Sequence, residues 1–252
     1  MPARSAVELR GACGLIGTLT KYLAVAPLFP AALALGYGEP PWPFLLAAVI
    51  VAIVGLALER LGRDARPIGF REGFLVVAMT WLAAATLGAL PYLLSGDPQL
   101  DRPVDAYFEA MSGFTTTGAS ILTDIPAIDE SMLMWRQFTQ WLGGMGIIVL
   151  ALAVLPRLRV GGRQIFESEL PGPEVDQLAT RIREATTRFS ALYLALTALE
   201  AGILSLLGWT GLDPEMDTFN AIAHALTTIP TGGFSPQNRS IEPFAIVTQW
   251  VI

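Results

Sequence analysis

The chain has 252 residues, 53% of them hydrophobic and 15% charged, where a soluble domain typically carries about 25% charged residues. Its apolar residues fall in long blocks, which predicts a protein that crosses a membrane several times rather than a soluble domain. The net charge of −6, from 16 basic and 22 acidic residues, argues against nucleic acid, which prefers clustered basic surface. Cys13 is the sole cysteine, so no disulfide forms within the chain. One histidine and few ionisable groups at span depth, chiefly Glu200, leave little material for a membrane-embedded enzyme.

The first apolar block runs from about 14 to 37, past the length of a signal core, so no cleavable signal is expected. Pro27 and Pro30 should kink it. Further spans are expected at 44–61, 72–94, 132–155 and 189–209. After the third comes an acidic linker, a short helix near 104–113, and then Ser112-Gly113-Phe114-Thr115-Thr116-Thr117-Gly118-Ala119-Ser120. The fourth span contains Gly143-Gly144-Met145-Gly146, read as a site of close helix approach, with a hinge as the alternative. A second short helix, 216–227, leads into Thr227-Thr228-Ile229-Pro230-Thr231-Gly232-Gly233-Phe234-Ser235. A sixth apolar stretch begins near Pro243 and reaches Ile252 after about 10 residues, where a crossing needs about 20; it is expected to be cut off within a helix.

Charge orients these spans. Alternation places 13 of the 16 basic residues on one side, including Arg60, Arg63, Arg66 and Arg71 and the cluster from Arg157 to Arg188. The positive-inside rule makes that side, and the N-terminus, cytoplasmic. Both Thr-Gly loops then lie outside, among acidic residues that include Glu109, Asp105, Asp213 and Asp217. These acids are solvated loop residues, a source of local cation enrichment, or, for Asp105 and Asp217, partners of helix N-termini. Arg136 is expected to snorkel to the interface; the alternatives are that it repels ions near the entrance or pairs with an outer-loop carboxylate. His224 reads as a packing residue, and Trp42, Trp135, Trp141, Trp209 and Trp250 as an interfacial belt.

The order of elements is duplicated. Each copy has a long helix, an acidic linker, a short helix, a Thr-Gly loop, a polar linker and a Thr-Gln-Trp triplet, at 139–141 and 248–250. Irregular backbone survives at membrane depth only when buried in protein or lining a water-filled path. A short helix would aim its partly negative C-terminus at that path, and a Thr-x-Gly loop suits a ring of carbonyl oxygens around a dehydrated cation. The candidate ion-binding residues are Thr116, Thr117 and Gly118 in the first loop and Pro230, Thr231 and Gly232 in the second. Gly118 and Gly232 are the expected conformational pivots.

Phe108 to Ala119, Gln140 to Val149, Pro156 with Val160-Gly161-Gly162, Glu169 to Pro173, and His224 to Ser235 together resemble the Trk/Ktr/HKT family of potassium transporters, of the TrkH type. The resemblance covers nearly the whole chain. It implies two leading helices followed by helix–pore loop–helix units, four in all, around one potassium path, with no cofactor besides the transported ion. It also implies uptake through the bacterial cytoplasmic membrane, a homodimer, and a cytoplasmic nucleotide-binding partner of the TrkA type. Within this all-α plan the divisions are 1–68 for the leading pair, 69–160 for the first unit, 161–188 for a cytoplasmic linker and 189–252 for a second unit short of its last helix. The chain is therefore expected to be the N-terminal half of a longer transporter, or to take the missing half from another chain; the alternative is a non-conducting membrane scaffold. Pro230 departs from the serine often found there in the family, losing a hydroxyl and an N–H but keeping its carbonyl.

Overall fold

The computed structural model describes residues 9–63, 70–159 and 174–252. Among them every regular element is helical. The first apolar block is two helices, α1 (Leu9–Leu23) and α2 (Leu28–Tyr37), joined by a turn. Pro27 and Pro30 each lack the N–H that would carry the ladder across 23–26, so the expected kink is a break. α3 (Trp42–Leu61) returns antiparallel to α1. Glycines let their backbones touch: a Cβ at Gly14 would sit 3.0 Å from the Gly62 Cα, and one at Gly55 would sit 2.5 Å from the Lys21 nitrogen. Small residues at a helix crossing serve this purpose in membranes, where no hydrophobic drive separates helix from lipid. Lys21 and Glu59 pair across the same crossing at 2.8 Å.

The third apolar block is also divided, into α4 (Phe70–Gly88) and α5 (Leu90–Ser95), the latter opening with Pro91 in its first turn. The short helix α6 (Pro103–Phe114) follows, and a 3-10 turn (Ile125–Ala127) precedes α7 (Glu130–Arg159). α8 (Glu174–Trp209) is long enough to reach well beyond the bilayer. The expected linker is thus helical from 174 to 188, and its remainder, 160–173, lies outside the described residues. The second short helix is α9 (Thr218–Thr228), and α10 (Ile246–Gln249) stands where the sixth span was expected.

Four helical runs among the described residues are long and apolar enough to cross a membrane: 9–37, 42–61, 72–95 and 184–209. α7, with 30 residues, is about 45 Å long, enough for a crossing by length, but it is not one of the four apolar runs. The burial pattern fits lipid rather than water. Leu35, Val49, Ile53, Leu199 and Leu206 are exposed, whereas Ala34, Ala47, Ala85, Ala106, Ala110, Ala221 and Ala225 are buried. Large apolar side chains face outward to lipid and small ones fill the crossings. Around α6 the core is made of Phe44, Tyr92, Leu100, Phe114, Met132 and Trp135.

Candidate functional site: two strained loops held by one helix

Two half-helices position the loops. α9 is capped by Asp217, whose carboxylate accepts from the Asn220 N–H at 2.7 Å. α6 opens with Pro103 and carries Asp105 in its first turn. Acidic groups at both N-termini complement the helix dipole, so each partly negative C-terminus faces its loop.

The two loops are built alike, residue by residue, at a spacing of 115. The Thr117 N–H donates to the Ser112 carbonyl at 2.9 Å, and the Gly232 N–H to Thr227 at 2.7 Å; Thr116 donates to Gly113 and Thr231 to Thr228 at 2.9 and 2.8 Å. Thr116 and Thr231 have φ of 54° and 55°, and Gly118 and Gly233 have φ of 75° and 84°. The likeness extends behind the loops. The Ser120 hydroxyl accepts from the Leu122 N–H and donates to Glu109. The Ser235 hydroxyl accepts from the Gln237 N–H and donates to His224 Nε2. His224 Nδ1 lies 2.8 Å from the Asn220 carbonyl, which requires the proton on Nδ1 and leaves Nε2 to accept. The lone histidine is a bonded packing residue.

This register corrects the pairing expected from sequence. Gly118 corresponds to Gly233, not Gly232, and Thr116 corresponds to Thr231. Gly232 has another reason to lack a side chain: a Cβ there would run into the Gln140 carboxamide. A β-branched residue at positive φ is a genuine outlier, and such strain persists only where the surroundings enforce it. Two threonines hold it at the same place in both copies. In an extended chain successive residues face opposite sides; a left-handed residue at every second position breaks that alternation and lets neighbouring carbonyls share a side.

The six candidate residues are therefore brought together, but they are not equivalent. Thr117 and Thr231 are exposed on the open face of this chain, and Thr116 and Gly118 are partly exposed. Pro230 and Gly232 are buried. The Pro230 carbonyl accepts from the Thr231 hydroxyl at 2.7 Å, and the Gly232 carbonyl from Gln140 Nε2 at 2.9 Å. Among the described residues no such donor engages the carbonyls of Thr116, Thr117, Gly118, Thr231 or Gly233.

α7 supports both loops. A Cβ at Gly143 would overlap the Phe114 carbonyl, and one at Gly144 would lie 2.5 Å from the Pro230 Cβ and 2.6 Å from the Tyr193 hydroxyl. The Gly143-Gly144 pair thus serves close approach of loop to helix. Gln140 clamps the second loop, donating to Gly232 and accepting from the Phe234 N–H at 3.1 Å.

Arg136 departs from the expectation that it snorkels. It is 2% exposed and pairs through Nε with Glu109 at 2.5 Å. Its Nη1 donates to the Ser235 carbonyl at 2.8 Å, and its guanidinium stacks 3.8 Å from the Phe234 ring centre. Glu109 is fully buried and also accepts from Ser120 and the Ile121 N–H, so it is no solvated loop acid. Asp213 is buried too, accepting from the Ala245 N–H at 2.8 Å. Trp135 and Trp141 likewise leave the expected belt: their indole N–H groups donate to the Gly88 carbonyl and the Thr197 hydroxyl. Trp42, Trp209 and Trp250 are exposed. Sequence periodicity carried no sign of the Arg136–Glu109 pair, whose members are 27 residues apart.

An all-helical membrane protein with two half-helices, each ending in a strained loop with unpaired carbonyls, is a pore-loop protein. The family model described as "Cation transport protein", TrkH, matches residues 44–252, and the chain belongs to the TrkH family. It is 35% identical over 241 residues to the "Trk system potassium uptake protein TrkH" of Vibrio parahaemolyticus and 37% identical to the protein of that name from Escherichia coli K12; each alignment covers 94% of this chain and 48% of the relative. It is 33% identical over 230 residues to the Escherichia coli K12 "Trk system potassium uptake protein TrkG". The crystal structure of the potassium transporter TrkH from Vibrio parahaemolyticus superimposes with a TM-score of 0.78 at 32% identity, over 97% of this chain and 48% of that one. The chain spans about half the length of these relatives.

Proposed function

We propose that the chain acts as the first half of a transporter that takes potassium up across the bacterial cytoplasmic membrane. The observation that carries this reading is the pair of loops in one backbone register, each holding a left-handed threonine and a left-handed glycine beside unpaired carbonyls. In this reading Thr116, Thr117 and Gly118 line the path in the first loop. In the second, Thr231 and Gly233 line it, while Pro230 and Gly232 are held against α7 and fix the loop. Carbonyl oxygens replace the water around the cation, and two loops supply only part of such a ring. The remainder of the ring comes from the half that the relatives possess beyond this match.

The proposal includes the division into a leading pair (1–68), a first unit (69–160), a linker (161–188) and a partial second unit (189–252). By family resemblance the partners are a second copy of the transporter and a cytoplasmic nucleotide-binding subunit of the TrkA type. The test is growth of a potassium-uptake-deficient bacterium on limiting potassium. The full-length protein should rescue growth and residues 1–252 alone should not. Failure of the full-length protein to rescue would overturn the reading.

The same proposal orients the chain with its N-terminus and Arg63 in the cytoplasm and Asp97 and Arg239 outside. With Cys13 replaced, single cysteines at 97 and 239 should react with an impermeant thiol reagent in intact cells, and one at 63 only after permeabilisation. Labelling at 63 from outside would reverse the topology.

A further inference from the structure

We propose that Arg136 is a selectivity-positioning residue, a buried staple that fixes the second loop relative to the first; this rests on the transport reading above. The guanidinium joins three parts at once. It neutralises Glu109 on the half-helix of the first loop, holds the Ser235 carbonyl just past the second loop, and lies against the Phe234 ring. Glu109 passes the connection on to Ser120 and Ile121 at the exit of the first loop. Arg136 itself stands on α7, the helix that packs against both loops through Gly143 and Gly144. Being buried and paired, it is neither an interfacial anchor nor a free charge at the entrance.

The internal repeat separates the staple from ordinary loop support. The counterpart of Glu109 is His224, which makes the equivalent bond to its own loop serine without a charge. The Thr-Gln-Trp triplets are spaced by 109, so the counterpart of Arg136 is Ala245. Acid and base are thus both absent from the second copy, while the serine bond is kept in each. Loop support therefore needs no ion pair. What the pair adds is the reach of Arg136 to the neighbouring loop, and a planar guanidinium can serve two acceptors in a fixed geometry where an ammonium serves as a point charge. A carbonyl ring discriminates between cations through the placement and number of its oxygens, so a link that sets one loop against the next acts on discrimination.

The test uses the full-length transporter with potassium and sodium uptake measured side by side, together with the amount of protein in the membrane. Arg136→Gln strands a buried carboxylate and should reduce the amount of folded protein. The double variant E109Q/R136Q removes both charges but keeps a side chain at 109 whose oxygen can accept from the Ile121 N–H while its NH2 donates to the Ser120 hydroxyl, so it should accumulate and still carry cations. Its potassium-over-sodium ratio should fall about tenfold, the factor typical of losing one charge-assisted hydrogen bond. Arg136→Lys is the second arm: it keeps the charge opposite Glu109, should accumulate normally, and should lose discrimination because it cannot hold Ser235 in the same geometry. A wild-type ratio in whichever of these two variants accumulates would overturn the staple. A wild-type transporter that carries no potassium would instead overturn the functional reading on which it rests.

Discussion

Gly118→Ala in the full-length protein is expected to reduce potassium-over-sodium discrimination by a hundredfold or more, about two factors of ten at roughly 1.4 kcal/mol each. Two independent effects act at this position. Its φ is +75°, and a Cβ in the left-handed region costs roughly 1–2 kcal/mol. The new methyl would also overlap the Gly232 carbonyl oxygen of the neighbouring loop, a backbone atom with no rotamer to escape into. Gly233→Ala provides the control. Its φ is +84°, yet its Cβ would meet open space in this chain, so only the conformational cost applies and the fall should be about tenfold. Paired uptake measurements on the two variants check the order. A Gly118→Ala protein with wild-type discrimination, or one less affected than Gly233→Ala, would show that the loops do not meet as described.

Most of the spans were legible because hydropathy and length decide them, and the half-helices because Asp105 and Asp217 stand near their starts. The breaks at 24–27 and at Ala89 were less so: proline announces a weak ladder, but only the packing of α1 on α3 and of α4 beside α6 decides whether the chain bends or separates. The second loop shows why register is hard to read. Gly232 directly follows a threonine as Gly118 does, so Pro230-Thr231-Gly232 lines up with Thr116-Thr117-Gly118 at its last two residues. The backbone instead places the left-handed turn at Gly233, because Gly232 is reserved for the approach of Gln140. A glycine in a sequence does not say whether it serves a dihedral angle or a neighbour. Arg136 failed for a related reason. An arginine near a helix start normally reaches water, and nothing local reveals that an acid one turn before the end of α6 is buried beside it.

Gln140 carries the other large effect. Gln140→Leu preserves volume but removes the partners of the Gly232 carbonyl and the Phe234 N–H. Each buried, unpaired group costs about 1–3 kcal/mol, so the second loop should leave its position and potassium uptake should fall at least tenfold with sodium rejected less well. The same joint predicts a coupling. Gly232→Ala alone should be damaging because its Cβ collides with the Gln140 carboxamide, the Cβ–Nε2 distance being 2.9 Å. Gln140→Ala removes the obstacle along with the clamp. In the double variant the methyl occupies space that the carboxamide has vacated, so the combined loss should be smaller than the product of the single losses, the mark of residues that share one contact. Gly118→Ala should couple to Gln140→Ala in the same way, since both act on the Gly232 carbonyl, one by displacing it and the other by releasing it. Strictly multiplicative losses in both cycles would mean that this carbonyl is not the joint between the loops, and that α7 positions the second loop through Gly144 and Arg136 alone.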